Sequence, residues 1–131
     1  MINFFSKYKF IFYFLNFLLI FLYLFPGSLI GQIIHGSKKI QPQITPDFIV
    51  SSNHFYTFFL VSTIGFFTFI RLDQIKFLLI YLISLSIVLE FLHLIIPDRT
   101  FQWLDLFGNL VGVIVVILIK NLINKYGTSK K

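Results

Sequence analysis

Residues 85–113 read LSIVLEFLHLIIPDRTFQWLDLFGNLVGV, and this stretch decides the fold. Two apolar runs meet there across a short polar corner at residues 97–100. Proline cannot supply the N–H that a helix interior needs, so the first run ends before Pro97. The stretch also holds ionisable and amide side chains: Glu90, His93, Arg99, Asp105 and Asn109. Placing an ionisable side chain within the membrane costs free energy unless the group is paired or reached by water. These residues are therefore the first candidates for a functional site.

The composition excludes a water-soluble domain. Of 131 residues, 57% are hydrophobic and 12% are charged, and the mean hydropathy is +0.89. Small soluble domains bury only ~60–70% of the surface that the unfolded chain exposes. We therefore predict an all-α, polytopic membrane protein with a single domain over residues 1–131. Most of the 19 phenylalanines and 6 tyrosines are expected to face lipid. The absence of cysteine excludes disulfides and thiolate metal sites.

Four apolar runs predict four transmembrane helices. They cover residues 10–25 (extended by Tyr8 and residues 29–34), 53–70, 77–96 and 103–119. Residues 26–52 contain three prolines and three glycines. That composition favours extended or turn structure, so this segment is predicted to be an extracytoplasmic loop. Asn53 is expected to cap the second helix.

The lysines and arginines predict the orientation of the helices. One side of the predicted membrane carries Lys7, Lys9, Arg71, Lys76, Lys120, Lys125, Lys130 and Lys131, and the other carries Lys38, Lys39 and Arg99. The positive-inside rule places both termini in the cytoplasm, with residues 120–131 as a basic cytoplasmic tail. The net charge of +6 is explained by these flanking residues, so no nucleic-acid partner is expected.

Glu90 and His93 are the first candidate catalytic pair, because residues three apart share a helix face. A helix reaching Pro97 would place Glu90 about 10 Å below its end. The alternative is a structural role, in which Glu90 pairs with Arg99 or His93 and locks two helices together. Asp105 is another candidate base, although a carboxylate is also favoured at a helix start by the helix dipole.

Two further features of this region concern helix packing and metal binding. Gly108 and Gly112 predict close helix packing. His54, Glu90, His93 and Asp105 together would suit zinc or iron, and Glu-x-x-His is half of the di-iron bundle signature. Only one copy of that motif is present, and no spacing rule brings His54 near the other three. The sequence therefore leads us to expect no metal and no cofactor. Nucleophile-elbow, phosphate-loop and dinucleotide motifs are absent.

The order and spacing of these polar residues resemble the VanZ-like family of small bacterial integral membrane proteins. The resemblance covers residues 50–118 and rests on HFYTFFL from His54 and on LEFLHLIIPDRTFQWLDLFGNLVG from Leu89. It implies a multi-pass protein of the bacterial cytoplasmic (inner) membrane, linked in some members to glycopeptide resistance and cell-envelope processes. It implies no settled reaction. The chain has His93 where members often have Gln, and Val50 and Ser51 where they often have Asp-Lys.

Two functional hypotheses follow. In the first, the protein binds or modifies an anionic envelope lipid or glycan carrier at the outer leaflet. The candidate roles are substrate binding by Arg99 and Asn109, general-base catalysis by Glu90 or Asp105, and proton transfer by His54 or His93. In the second, it is a non-catalytic subunit or accessory protein of a membrane assembly, with a membrane-protein partner or a second copy. Whether the protein is an enzyme stays open, and proton-coupled transport ranks last because four helices offer little room for two gated halves.

Overall fold

The computed structural model describes residues 2–127, with side chains from residue 8 onward. It contains five helices in the order α1 (Ile2–Leu24), α2 (Leu29–His35), α3 (Ser52–Thr68), α4 (Leu72–Leu92) and α5 (Trp103–Gly127). Residues 2–127 contain no strand, so the predicted all-α class is confirmed for this part of the chain. The Lys7 side chain and the tail residues Lys130 and Lys131 lie outside the described residues.

Two of the helices, α4 and α5, are long and apolar enough to cross a membrane. Residues 8–24 of α1 and all of α2 meet that requirement only as a pair, bent by 78° at the break between them. The described residues thus support two spans, or three if the bent pair is one span. The predicted count of four is not established, because α3 has 17 residues and a span needs ~20. Large apolar side chains on the outside, such as Phe77 and Ile80, suit a lipid environment.

The helix bounds differ from the predicted ones at several ends. α4 begins at Leu72 and includes Asp73 in its first turn, where the helix dipole favours a carboxylate. α5 continues through the basic segment to Gly127. A charged residue therefore does not end a helix here: Lys120 lies within α5, with its ammonium 4.9 Å from the centroid of the Phe66 ring.

The segment 26–52 was predicted to contain no long helix and to favour extended or turn structure, although residues 29–34 were also counted toward the first span. The structure places the seven-residue helix α2 there. No proline occurs between Pro26 and Pro42, so a short helix fits. The Ser28 Oγ accepts a hydrogen bond from the Gly31 N–H at 2.9 Å and caps its start. Gly36, with φ of 67°, ends it in the left-handed conformation.

The prediction that Asn53 caps α3 was wrong. Ser51 occupies the cap position, and Asn53 lies within the first turn. Its amide holds the preceding loop instead: Oδ1 accepts from the Ile44 N–H at 3.0 Å, and Nδ2 donates to the Pro42 carbonyl at 2.7 Å. The amide therefore fixes residues 42–44 against the start of α3.

Close packing of α3 on α5 confirms the role predicted for the two glycines. A Cβ on Gly108 would lie 2.8 Å from the Ser51 carbonyl oxygen, and one on Gly112 would lie 2.7 Å from that of Phe55. Real Cβ atoms do not approach backbone so closely, so both positions require glycine. This approach brings the start of α3, with His54, against the start of α5.

Candidate functional site

Four helices contribute to a buried polar cluster at one end of the bundle. Tyr23 lies in the last turn of α1, His54 in the first turn of α3, Glu90 in the last turn of α4, and Asp105 in the first turn of α5. His93 follows directly after α4. Successive long helices run in opposite directions, so these ends meet. His54 and Asp105 are thereby brought into direct contact, although they are 51 positions apart in the chain.

Glu90 lies closer to its helix end than the sequence predicted. α4 ends at Leu92 and not near Pro97, because the His93 N–H bonds to the carbonyl of Glu90 in a tighter final turn. Glu90 is therefore in the last helical turn, and the predicted depth of about 10 Å below the helix end was wrong. His93 occupies the cap position and no longer belongs to the helix.

The Glu90 carboxylate is fully buried and held from one side. Its Oε1 atom accepts a hydrogen bond from the Gln102 backbone N–H at 3.1 Å. Its Oε2 atom lies 3.4 Å from His93 Nδ1 and 3.9 Å from His54 Nδ1, and it has no hydrogen-bond partner. Buried polar atoms normally have a hydrogen-bond partner, so a fully buried carboxylate oxygen without one is exceptional.

The His54 imidazole joins the cluster's two carboxylates. Its Nε2 atom lies 3.4 Å from Asp105 Oδ2. Its Nδ1 atom lies 3.0 Å from the side-chain oxygens of both Asn109 and Tyr23. Asn109 is fully buried, and its Nδ2 donates to the Ser86 carbonyl at 3.4 Å. The amide therefore turns its oxygen toward His54 and orients that ring.

Of the two partners predicted for Glu90, His93 lies beside its carboxylate, with Nδ1 at 3.4 Å from Oε2, and Arg99 binds elsewhere. The Arg99 Nη2 and Nε atoms donate to the carbonyls of Leu22 (2.9 Å) and Phe25 (3.2 Å), at the end of α1. These carbonyls lack intrahelical partners, so Arg99 both caps α1 and fixes the 97–100 corner to it. Partial burial lowers the pKa of the Arg99 guanidinium, but arginine keeps its charge at neutral pH.

Tyr23 belongs to the site and was missed in the sequence, where aromatic residues were expected to face lipid. Its hydroxyl donates to Asn109 Oδ1 at 2.8 Å. Its ring stacks on His93 at 5.7 Å and meets His54 edge-on at 5.1 Å. Asn16 was the available signal: a polar residue within an apolar helix marks the inward face, and a residue seven positions later shares that face.

Two adjoining cavities border the cluster. The larger, about 350 Å³, has many apolar lining residues together with His54, His93 and Arg99. The smaller, about 190 Å³, is polar and is lined by Lys38, Lys39 and Asp105, among others. Both are lined by His93 and Arg99. The His54–Asp105 pair thus has one member on each cavity, and it can exchange protons with a molecule in either.

The geometry also brings together three groups that bind metals. One ligand atom from each of His54, Glu90 and Asp105 lies within 4.8 Å of the other two. His93 lies beside this group: its Nδ1 atom is 3.4 Å from Glu90 Oε2, and its ring meets that of His54 edge-on at 6.5 Å.

Comparison with known proteins does not assign the chain. No family model, no curated protein and no solved structure matches it. Membership of the VanZ-like family therefore stays a prediction from the sequence.

Proposed function

We propose that this chain is a VanZ-like integral protein of the bacterial cytoplasmic membrane that binds an anionic envelope amphiphile at the outer leaflet. The ligand class is a lipid or polyprenyl glycan carrier with a phosphate headgroup. The proposal includes four spans with both termini in the cytoplasm, which directs the buried cluster outward. The pair of adjoining cavities, one polar and cationic and one largely apolar, is the observation that carries it.

The polar cavity matches a phosphate group. Three cationic residues line it, Lys38, Lys39 and Arg99, together with the carboxylates of Asp98 and Asp105. Lys38 and Lys39 are exposed, so they can reach a headgroup at the membrane surface. Arg99 is held in place by two carbonyls, and a preorganised guanidinium loses little freedom when it binds an anion.

The larger cavity matches the apolar chain of the same ligand. Its aliphatic lining comes mainly from the end of α1 and from α2: Leu19, Leu22, Leu29, Ile30, Ile34 and Ile44. Each CH₂ group buried there contributes about 0.8 kcal/mol. A headgroup in one cavity and a chain in the other would place the phosphate beside Arg99 and His93, which line both.

The cluster between the cavities supports a chemical role for the bound ligand. His54 and Asp105 form an imidazole–carboxylate pair at 3.4 Å, the arrangement used for general acid–base catalysis. In this proposal Asp105 or Glu90 is the general base, and His54 is the proton partner of Asp105. Cleavage or transfer at the phosphate is the reaction class that such a pair serves.

The test is native mass spectrometry of the protein released from membranes in a mild detergent. The charge-removing variants are Arg99→Gln and the double variant Lys38→Gln/Lys39→Gln. Their matched controls are Arg71→Gln and Lys9→Gln/Lys76→Gln, which remove the same charges from exposed positions at the opposite end. The lysine pair tests the headgroup site without disturbing the α1 carbonyls.

We expect a phosphate-bearing lipid on the wild type and on both controls, and its loss from both charge-removing variants. Equal lipid retention by all five proteins would overturn the proposal. A stoichiometric protein partner without bound lipid would also overturn it and would favour an accessory subunit instead.

A further inference from the structure

We propose that His54, Glu90 and Asp105 form a binding site for a divalent transition metal ion, of which zinc is the representative. The sequence offered no reason to bring His54 to the two carboxylates, so the expectation there was that no metal binds. This inference goes beyond lipid binding and does not depend on it.

The His54 ring presents an unprotonated nitrogen to a carboxylate. The Asn109 amide nitrogen donates to the Ser86 carbonyl, so its oxygen faces His54 Nδ1 at 3.0 Å. That oxygen can only accept, and the Tyr23 hydroxyl, 3.0 Å from the same Nδ1 atom, already donates to the Asn109 oxygen, so a hydrogen bond from His54 to Asn109 requires the proton on Nδ1. In the neutral imidazole the Nε2 atom is then a bare acceptor, and it faces Asp105 Oδ2 at 3.4 Å.

The hydrogen-bond partners of His93 likewise indicate which of its ring nitrogens carries the proton. Its Nε2 atom lies 3.1 Å from the Tyr23 carbonyl oxygen, which accepts only, so the Nε2 atom carries the proton. Its Nδ1 atom is then bare and faces Glu90 Oε2 at 3.4 Å. That carboxylate oxygen is fully buried and has no hydrogen-bond partner. When both rings are neutral, each presents a lone pair to a carboxylate, and a cation between them would satisfy both pairs.

A metal ion suits this arrangement better than a proton does. A proton satisfies one acceptor pair, whereas an ion near the centre satisfies oxygens of both carboxylates and an imidazole at once. The ligand atoms of His54, Glu90 and Asp105 lie within 4.8 Å of one another. Ligands of a tetrahedral zinc are about 3.4 Å apart, so shifts of about an ångström close the site.

The groups around the three ligands would also orient them for metal binding. Metal-binding histidines usually donate their second N–H to an oxygen, as His54 does toward Asn109. The Gln102 N–H fixes the Glu90 carboxylate from behind. Three protein ligands leave a fourth position open, which is typical of a catalytic site. His54 and Asp105 border the two cavities, which provide a path for the ion and for a ligand.

The experiment measures zinc bound by the purified chain after chelator treatment and equilibrium dialysis against zinc chloride at neutral pH. The ligand variants are Glu90→Gln and Asp105→Asn. The controls are His35→Gln and Asp73→Asn, an exposed histidine and an exposed carboxylate outside the cluster. Helicity by circular dichroism and elution as a single species show that each variant is folded.

We expect one zinc ion per wild-type chain and per control chain. The two ligand variants should bind zinc more than about 100-fold more weakly, since even the loss of a residue behind a ligand costs about 10–100-fold. If Glu90→Gln does not fold, Asp105→Asn carries the test, because its carboxylate is partly exposed. Absence of zinc from the wild type, or an undiminished zinc affinity in folded Asp105→Asn, would overturn the metal site. Either result would indicate that a proton, and not a metal ion, lies between the imidazoles and the carboxylates. Neither result touches lipid retention, so this proposal and the proposed function fail separately.

Discussion

A set of buried ionisable side chains lies at one end of the helix bundle, whereas the Arg71–Asp73 pair at the other end faces solvent. Glu90 is fully buried and the His54 side chain is 6% exposed, whereas the side chains of Arg71 and Asp73 are 74% and 67% exposed. Water satisfies the exposed pair, but the buried groups need partners within the protein. The same substitution should therefore have different consequences at the two ends, and paired variants measure that difference.

The largest effect is expected where two helices meet backbone to backbone. An added Cβ at Gly112 would contact the Phe55 carbonyl oxygen at 2.7 Å, whereas at Gly65 it would meet the side-chain ends of Phe12 (2.9 Å) and Leu78 (3.0 Å). Gly112→Ala should lower the free energy of unfolding by about 2–3 kcal/mol, the upper part of the usual range for overpacking, because backbone cannot move aside as a side chain can. Gly65→Ala should be near neutral, because flexible side chains yield and alanine gains about 1 kcal/mol of helix propensity.

Thermal or denaturant unfolding in matched micelles measures both glycine variants. Equal losses at the two positions would show that α3 and α5 do not need their close approach, and the placement of His54 beside Asp105 would lose its support.

The second contrast concerns the two arginines. Arg99→Ala removes donors from the carbonyls of Leu22 and Phe25. Unpaired buried acceptors cost about 1–3 kcal/mol, so a loss of about 2 kcal/mol is expected. Arg71→Ala breaks an exposed pair with Asp73, and the unfolding midpoint should not change measurably. Greater destabilisation by Arg71→Ala than by Arg99→Ala would reverse the comparison between the two ends.

The sequence predicted the helices better than their partners. The apolar runs and the polar corner at 97–100 identified α4 and α5, and the glycine spacing identified a close contact. Local periodicity could not say which helix lies opposite Gly108 and Gly112, because that is decided by packing between distant segments. His54 was therefore a candidate whose proximity to Asp105 could not be derived. Charge alone offered Arg99 or His93 as the partner of Glu90; His93 lies beside it, whereas Arg99 donates to the carbonyls ending α1.

The smallest effect is expected from removing single hydroxyls at matched tyrosines. Tyr23 donates to buried Asn109 at 2.8 Å, and Tyr81 accepts from partly buried Asn16 at 2.5 Å, nearer the opposite end. Tyr23→Phe should lower the free energy of unfolding by about 1–1.5 kcal/mol, within the range for one hydrogen bond plus an unsatisfied buried partner. Tyr81→Phe should cost about half as much, because Tyr81 and Asn16 line a third, separate cavity of about 560 Å³, and water there can replace the lost hydrogen bond.

The tyrosine pair also separates a positioning role from a purely structural one. When the Tyr23 hydroxyl is removed, Asn109 Oδ1 loses the hydrogen bond that it accepts from that hydroxyl. The Asn109 amide, and with it the His54 ring, is then held less firmly. Zinc affinity should then fall by about 10-fold in Tyr23→Phe, as for other groups behind a metal ligand, and stay unchanged in Tyr81→Phe. Destabilisation by Tyr23→Phe with zinc affinity intact would confine Tyr23 to packing, because a hydroxyl that orients His54 must affect what His54 binds.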